Sequence, residues 1–262
     1  MLYYFIIFVL GTIIGSFLNV VIFRFHSKEK IGMSRSHCQS CNHILEAADL
    51  IPVLSFFVQK GKCRYCGNKI SWQYPLVELF TGIVFVLSAY SLVGTLGASM
   101  IFYSPALLIQ WLRNIIFGCF LIVIFVYDFK WYLILDRVTV PAMAIALFFN
   151  WYLHLGLKNL FLAAFIGLFF FLAQYLVSKG KWIGGGDLRM GFLMGLMVGW
   201  PNIIVALFFS YVIGAIFSVF LIIIKRKKMK SQIPFGTFLA LGTFIALYWG
   251  ESIITWYRSL LI

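Results

Sequence analysis

Two aspartates beside apolar segments are the residues of this sequence best suited to do chemistry. Asp187 follows three glycines, Gly184, Gly185 and Gly186, and Asp128 closes another apolar run. A carboxylate at membrane depth is costly, so residues of this kind are usually functional. Two carboxylates that meet within a few ångströms do not easily ionise together, so one keeps its proton while the other stays a base. The base takes a proton from water while the acid polarises a scissile carbonyl, which is the chemistry of aspartyl proteolysis.

The glycine stretch has two interpretations. In the structural one, the glycines make a tight turn and Asp187 caps the helix that follows. In the functional one, they form an active-site loop. The helix that begins at Asp187 reaches Pro201 after 14 residues, or about 21 Å, whereas the hydrocarbon core is about 30 Å thick. We therefore hypothesise that the loop dips into the bilayer beside a water-filled cavity.

Two further acids lie near the same predicted membrane face. Asp136 competes with Asp128 for the role of partner to Asp187, but its position at a helix start beside Arg137 favours a structural pairing of Asp136 with Arg137. Glu78 follows a Tyr-Pro pair at the start of an apolar run. It either orients the site or sits at the membrane interface.

Composition identifies the class of protein that must position these acids. The 262 residues are 63% hydrophobic and 11% charged, and the mean hydropathy is +0.99. These values are typical of a polytopic membrane protein. The net charge of +13 is spread between apolar segments, which favours a role in topology and lipid-headgroup contact and argues against nucleic acid.

We predict an all-α membrane protein with about eight transmembrane helices. A first helix (1–23) is followed by a cytoplasmic loop domain (24–75) and a seven-helix membrane domain (76–262). The first apolar run lacks a basic segment before it and a small-residue cleavage site after it, which favours a retained anchor. The predicted spans are 2–23, 76–98, 106–127, 138–155, 160–177, 188–200, 203–224 and 238–257.

The basic residues predict which loops face the cytoplasm. With alternating spans, segments 24–75, 128–137, 178–189 and 225–236 share one side and hold 18 of the 21 lysines and arginines. The positive-inside rule makes that side cytoplasmic and puts both termini outside. Both candidate catalytic aspartates then lie near the cytoplasmic face.

Four cysteines in the first loop predict a metal site. Cys38 and Cys41 form one CxxC pair, and Cys63 and Cys66 form a second one 21 residues later. Two such pairs complete a closed tetrahedral site for structural Zn²⁺. Disulfides are the alternative, but a cytoplasmic loop is in a reducing compartment, so zinc is favoured.

A series of short motifs runs in order along nearly the whole chain. Together they resemble the bacterial type IV prepilin peptidases, which are membrane aspartyl proteases of the GxGD type and prepilin leader peptidase/N-methyltransferases. The motifs are GSFLNVVIFR (15–24), RSHC (35–38), DLIPVLS (49–55), GKCRYCG (61–67), YPLVEL (74–79), GGGD (184–187) and PFGTFLALG (234–242).

This resemblance implies an endopeptidase of the bacterial cytoplasmic (inner) membrane with its active site facing the cytoplasm. Its substrates would be prepilin-like precursors, cut after the glycine that ends a basic leader, and its catalytic aspartates map onto Asp128 and Asp187. The resemblance also implies N-methylation of the new terminus with S-adenosylmethionine, for which the sequence indicates no cofactor-binding residues. The chain has Ile134-Leu135-Asp136 where the family often has Ile-Pro-Asp, and lacks the frequent proline after Cys38. These departures concern the shape of the loops.

Two other functions use the same residues. A proton-coupled transporter would use the aspartates as a relay, but it would be expected to show repeated halves with paired broken helices, and no such repeat is evident. A scaffold protein would use the zinc loop to dock a partner, and its aspartates would be replaceable.

Overall fold

The structure is a computed structural model that describes residues 1–30, 32, 35–94, 97–224 and 233–260. Within these ranges the chain is helical, and the only β pairing is two isolated bridges, His37 with Ile44 and Lys62 with Lys69. The chain forms two compact units, Met1–Trp111 and Leu112–Ile262. The predicted all-helical class is therefore confirmed for the described residues.

The first unit is built on two long helices, α1 and α3, that pack closely against each other. A Cβ atom added to Gly11 would lie 2.8 Å from the Cα atom of Gly82, and one added to Gly15 would lie 2.7 Å from the Cα atom of Glu78. Only glycine allows the backbones to approach so closely. The helical elements of this unit are α1 (Leu2–Ser27), a 3₁₀ turn (Ala47–Leu50), α2 (Leu54–Val58), α3 (Gln73–Val93) and α4 (Met100–Tyr103).

The second unit surrounds a short helix, α8 (Gly185–Val198). This helix contacts α6 (Asp136–Tyr152), α7 (Leu157–Ser178), α9 (Asn202–Ile223) and α10 (Phe235–Ser259). A Cβ atom added to Gly195 of α8 would lie 2.3 Å from backbone atoms of Ala163 and Ala164 in α7. Small residues thus fix α8 against its neighbour at backbone distance. The helices are α5 (Pro105–Trp131), which begins in the first unit, α6 (Asp136–Tyr152), α7 (Leu157–Ser178), α8 (Gly185–Val198), α9 (Asn202–Ile223) and α10 (Phe235–Ser259).

Among the described residues, six helices are long and apolar enough to cross a membrane, namely α1, α3, α5, α7, α9 and α10. The other two predicted spans are also helical, but α6 has 17 residues and α8 has 14. The protein is therefore a multi-pass membrane protein, and the described part of its chain has six helices of full spanning length. The basic run 225–230 lies outside the described residues.

Most predicted span boundaries differ from the helix ends by a few residues, and two of these differences have a structural cause or consequence. The second predicted span extends to residue 98, but α3 ends at Val93. Gly94 has a φ of 53°, which does not continue a right-handed helix. The third was to end just before Asp128, but α5 continues to Trp131, which places Asp128 inside the last turns of the helix.

Candidate active site

Asp128 lies against the beginning of α10. Its side chain is 4% exposed, and its Oδ2 atom accepts hydrogen bonds from the backbone N–H of Thr237 at 2.8 Å and from the Thr237 hydroxyl at 3.2 Å. The first N–H groups of a helix have no partner within the helix, and its N-terminus carries a partial positive charge. Asp128 therefore caps α10, and the helix in turn stabilises the ionised carboxylate.

Asp187 lies within the first turn of α8 itself. It is the third residue of that helix, is 9% exposed, and accepts the backbone N–H of Gly184 at 2.9 Å through Oδ2. Asp187 therefore takes part in capping α8, as the structural interpretation predicts, but it does so from the third helical position, and Gly184 is the N-cap. A capping hydrogen bond does not require a buried carboxylate. The capping role alone therefore does not explain why Asp187 is buried.

The beginnings of α8 and α10 meet on either side of Ile134. A Cβ atom added to Gly186 would lie 3.0 Å from the Cβ of Ile134, and one added to Gly236 would lie 2.7 Å from its Cδ1 and 3.0 Å from the Cγ of Asp128. The carboxylates of Asp128 and Asp187 are close enough to repel each other when both are charged. The structure thus brings together two buried acids from helices that are far apart in the sequence.

The three glycines before Asp187 are part of helix α8 and its cap. Gly184 is the N-cap with a φ of −85°, and α8 begins at Gly185. None of the three has a positive φ, so the expected tight turn that only glycine can make is absent here. At Gly186 the reason for glycine is the space taken by Ile134, whereas a Cβ at Gly185 would meet nothing within 4 Å.

The two CxxC pairs of the first unit form knuckles with the same backbone hydrogen bonds. The backbone N–H of Cys38 donates to the His43 carbonyl at 2.9 Å, and that of Cys63 donates to the Asn68 carbonyl at 2.8 Å. In both knuckles the fourth residue after the first cysteine has a positive φ, 57° at Asn42 and 73° at Gly67. The loop therefore presents two matched turns, each with two thiols.

The four Sγ atoms of these knuckles lie within 4.8 Å of one another, and those of Cys38 and Cys66 are 3.9 Å apart. Tetrahedral Zn²⁺ with bonds of about 2.3 Å separates its sulfur ligands by about 3.8 Å, so the donor set fits such an ion. Burial opposes ionisation of the Cys38 thiol, but backbone N–H groups of Ser40 and Cys41 lower its pKa to about 6. The predicted cluster is therefore present in a metal-binding geometry.

Two family models and a set of curated proteins match this chain. Residues 9–92 match the bacterial peptidase A24 N-terminal domain, and residues 115–219 match the type IV leader peptidase family. A prepilin leader peptidase/N-methyltransferase of Aeromonas salmonicida strain A449 is 32% identical over 100% of this chain and 96% of its own length. The chain belongs to the type IV leader peptidase family.

Other relatives carry the same name. The proteins of Bacillus subtilis strain 168 and Pseudomonas putida are 33% and 28% identical, over 96% and 94% of this chain and 96% and 90% of their own lengths. No solved structure matches significantly. The resemblance predicted from the sequence is confirmed, and the relatives give no support to a transporter.

The candidate residues fall into the two regions that match the family models. The region 115–219 contains Asp128 and Asp187, whereas 9–92 contains the four cysteines and Glu78. Glu78 is 6% exposed and accepts the backbone N–H of Val53 at 2.7 Å through Oε2. It thus belongs to the first unit with the metal cluster.

Asp136 is the first residue of α6, as predicted, but its partner differs from the expected one. Its carboxylate pairs with Arg189 of α8 in place of Arg137. Both side chains of this pair are about half exposed, at 56% and 50%. Asp136 therefore links α6 to α8 at the surface, while Asp128 is the enclosed acid.

Two residues near the aspartates were not singled out from the sequence. Thr237 donates two hydrogen bonds to Asp128, and its only sequence signal is its place in the PFGT motif. Tyr211 of α9 interacts electrostatically with Asp187, donates to Gln174 at 2.8 Å, and packs edge-on against Phe235. Nothing in the sequence around Tyr211 marks it, because an aromatic residue in an apolar helix is usually only a packing residue.

Proposed function

We propose that this chain is a membrane aspartyl endopeptidase that cleaves the leader of type IV prepilin-like precursors after a glycine, with Asp128 and Asp187 as its catalytic pair. The observation that carries the proposal is the position of these two buried carboxylates at the beginnings of α8 and α10, which both pack against Ile134. The name that the relatives carry, prepilin leader peptidase/N-methyltransferase, supports the substrate class and a second activity, N-methylation of the new terminus.

The hydrogen bonds divide the work between the two acids. Asp128 accepts two donors from Thr237, which stabilise its ionised form, so it takes a proton from the attacking water. Asp187 then holds the shared proton, polarises the scissile carbonyl, and passes the proton to the leaving amine. The enclosed setting strengthens both interactions because little water screens them.

Zn²⁺ is the proposed occupant of the four-cysteine cluster, held by Cys38, Cys41, Cys63 and Cys66. Thiolate ligands in two matched knuckles are typical of a closed structural zinc site. The metal would hold the loop in shape. S-adenosylmethionine, the second proposed cofactor, supplies the methyl group when bound.

We propose eight membrane helices, with α6 and α8 completing the six of full spanning length. This places 24–75, 128–137, 178–189 and 225–236 on the cytoplasmic side, where their 18 basic residues satisfy the positive-inside rule. The precursor helix would lie in the lipid bilayer of the inner membrane. Its leader junction would then reach the aspartates from the cytoplasm.

Cleavage of a model precursor by the purified chain tests this proposal. The precursor carries a basic leader that ends in glycine, followed by an apolar helix. Asp128→Asn and Asp187→Asn are expected to abolish cleavage, since each removes one half of the acid–base pair, whereas Asp136→Asn is expected to retain it. Cleavage by all three variants would refute the aspartyl mechanism. Loss in Asp136→Asn with retention in Asp128→Asn would show that the partner of Asp187 is Asp136.

A further inference from the structure

The short helix α2, in the loop between α1 and α3, has an exposed apolar face. Leu54, Phe57 and Val58 stand at positions i, i+3 and i+4 and therefore share one side of the helix. They are 64%, 55% and 77% exposed, whereas Phe56, on the other side, is buried. Adjacent large apolar side chains that stay exposed mark a surface that contacts a partner.

The contacts of α2 place this face at the beginning of a membrane-spanning helix. Trp72 is the N-cap of α3, which is long and apolar enough to cross a membrane. The centroid of the Trp72 ring lies 4.8 Å from that of Phe56 and 6.2 Å from that of Phe57. The backbone N–H of Val53, the N-cap of α2, donates to the Glu78 carboxylate in α3 at 2.7 Å. Helix α2 is therefore held at the level where α3 enters the bilayer.

An exposed apolar stripe of α3 begins at the same tryptophan. Leu76, Phe80 and Ile83 follow Trp72 at steps of four, four and three residues, so all four share one side of the helix, and all four are exposed. Because lipid chains are as apolar as these side chains, the stripe of a spanning helix faces lipid. Phe57 packs against Trp72 at the end of this stripe, so the apolar face of α2 adjoins the lipid-facing side of α3.

The turn after α2 brings positive charge to the edge of the apolar face. Lys60, Lys62 and Lys69 are exposed, and within the described residues they form no salt bridge. The Gly61 N–H donates to the Phe56 carbonyl at 2.8 Å, and an isolated bridge pairs Lys62 with Lys69, so the turn is held close to α2. An apolar face with tryptophan and lysines at its edge is typical of a segment in the interface of an anionic membrane.

We propose that α2 lies in the headgroup region of the membrane that α3 spans, with Leu54, Phe57 and Val58 inserted among the lipid chains. The partner of the apolar face is thus the bilayer itself, and the lysines of the following turn contact anionic headgroups. The loop between α1 and α3 is tied to the membrane by this third contact as well as by its two ends. Because Cys63 follows the turn directly, the contact also fixes the height of the second cysteine knuckle above the bilayer.

The first test identifies the partner by photocrosslinking. Val58, the most exposed residue of the face, is replaced by the photoreactive benzoylphenylalanine in the full-length chain. The protein is reconstituted in vesicles of phosphatidylethanolamine and phosphatidylglycerol, irradiated, digested and analysed by mass spectrometry. Phospholipid adducts are expected at position 58. The same replacement at Ile44, an exposed apolar residue of the first cysteine knuckle, is the matched control and is expected to give few.

Two results of this test would overturn the proposal. Equal yields of lipid adduct at both positions would show that the apolar face of α2 has no special contact with lipid. Adducts of position 58 with a second copy of the chain, in place of lipid, would show that the face is a protein interface. Neither result depends on precursor cleavage, so the proposed function is tested separately.

The second test measures the contribution of the lysines. The ratio of phosphatidylglycerol to phosphatidylethanolamine adducts at position 58 is expected to exceed the ratio in the vesicles. Changing Lys60→Gln and Lys69→Gln together is expected to lower it about fivefold or more, whereas Lys181→Gln, an exposed lysine of the second unit, should leave it unchanged. An unchanged ratio in a double variant that melts normally and keeps its zinc would refute the contact with anionic headgroups.

Discussion

Replacing Thr237 by valine removes a hydroxyl of the candidate active site that lies closest to Asp128 and also faces the Phe125 carbonyl at 3.4 Å. The hydroxyl that donates to Asp128 at 3.2 Å is lost, while the backbone N–H at 2.8 Å and the size of the side chain are kept. A hydrogen bond to a charged group contributes about 2 kcal/mol. Its loss destabilises only the ionised carboxylate, which therefore binds its proton more tightly.

The expected result is a displaced pH dependence of cleavage. About 2 kcal/mol corresponds to about 1.5 pH units, so the acidic limb of the pH–rate profile moves to higher pH by that amount. On the limb the rate falls about 30-fold, and at high pH, where the base is ionised again, most of it returns. The assay is precursor cleavage by the detergent-solubilised protein over a pH series.

Thr243→Val is the matched control on the same helix. Thr243 is fully buried and its hydroxyl bonds within α10, to the Leu239 carbonyl at 2.6 Å. The change alters the same chemical group without touching either aspartate, so its acidic limb is expected to stay in place. A Thr237→Val limb that does not move, or a Thr243→Val limb that moves as far, would refute the assignment of Asp128 as the base.

Two further predictions concern packing and the metal. Gly195→Ala would place a methyl group 2.3 Å from the backbone of α7. We therefore expect the free energy of unfolding to fall by about 1–3 kcal/mol, measured as a lower melting temperature in detergent. Gly185→Ala, where the space is open, is the control, and an equal effect of both changes would contradict the packing argument. Cys63→Ser removes a ligand of the cluster, so bound zinc, measured by metal analysis, should fall from about one per chain to near zero, and the loop should become sensitive to protease. Cys119→Ser lies outside the cluster and should keep its zinc; retention by Cys63→Ser would contradict the four-thiolate site.

The parts of the site that depend on local chemistry could be predicted from the sequence. Four cysteines in two CxxC pairs have few uses, and the matched knuckles form because each turn depends only on residues within a few positions. The two aspartates could be chosen because acids are scarce in an apolar chain, which makes each one informative. The family resemblance was carried by motifs of this local kind.

The remaining features depend on contacts between distant residues. Thr237 bonds to Asp128 across 109 positions, and Asp136 pairs with Arg189 across 53. Sequence spacing says nothing about either contact, so the nearest opposite charge, Arg137, was the wrong partner for Asp136. The glycines before Asp187 were predicted to make a tight turn, whereas Gly186 is needed because Ile134 of another loop fills the space where its side chain would lie.

The small-residue contact between α7 and α8 has a consequence for biosynthesis. A segment of 14 residues is shorter than the roughly 20 residues that a helix needs to span the bilayer by itself. The backbone contact at Gly195 exists only once α7 is in place, so we expect α8 to need α7 beside it in order to stay in the bilayer. Helices α9 and α10 also pack against α8. We therefore expect a chain that is truncated after α8 to hold this segment loosely. The half-made enzyme would therefore be inert while it is still being synthesised.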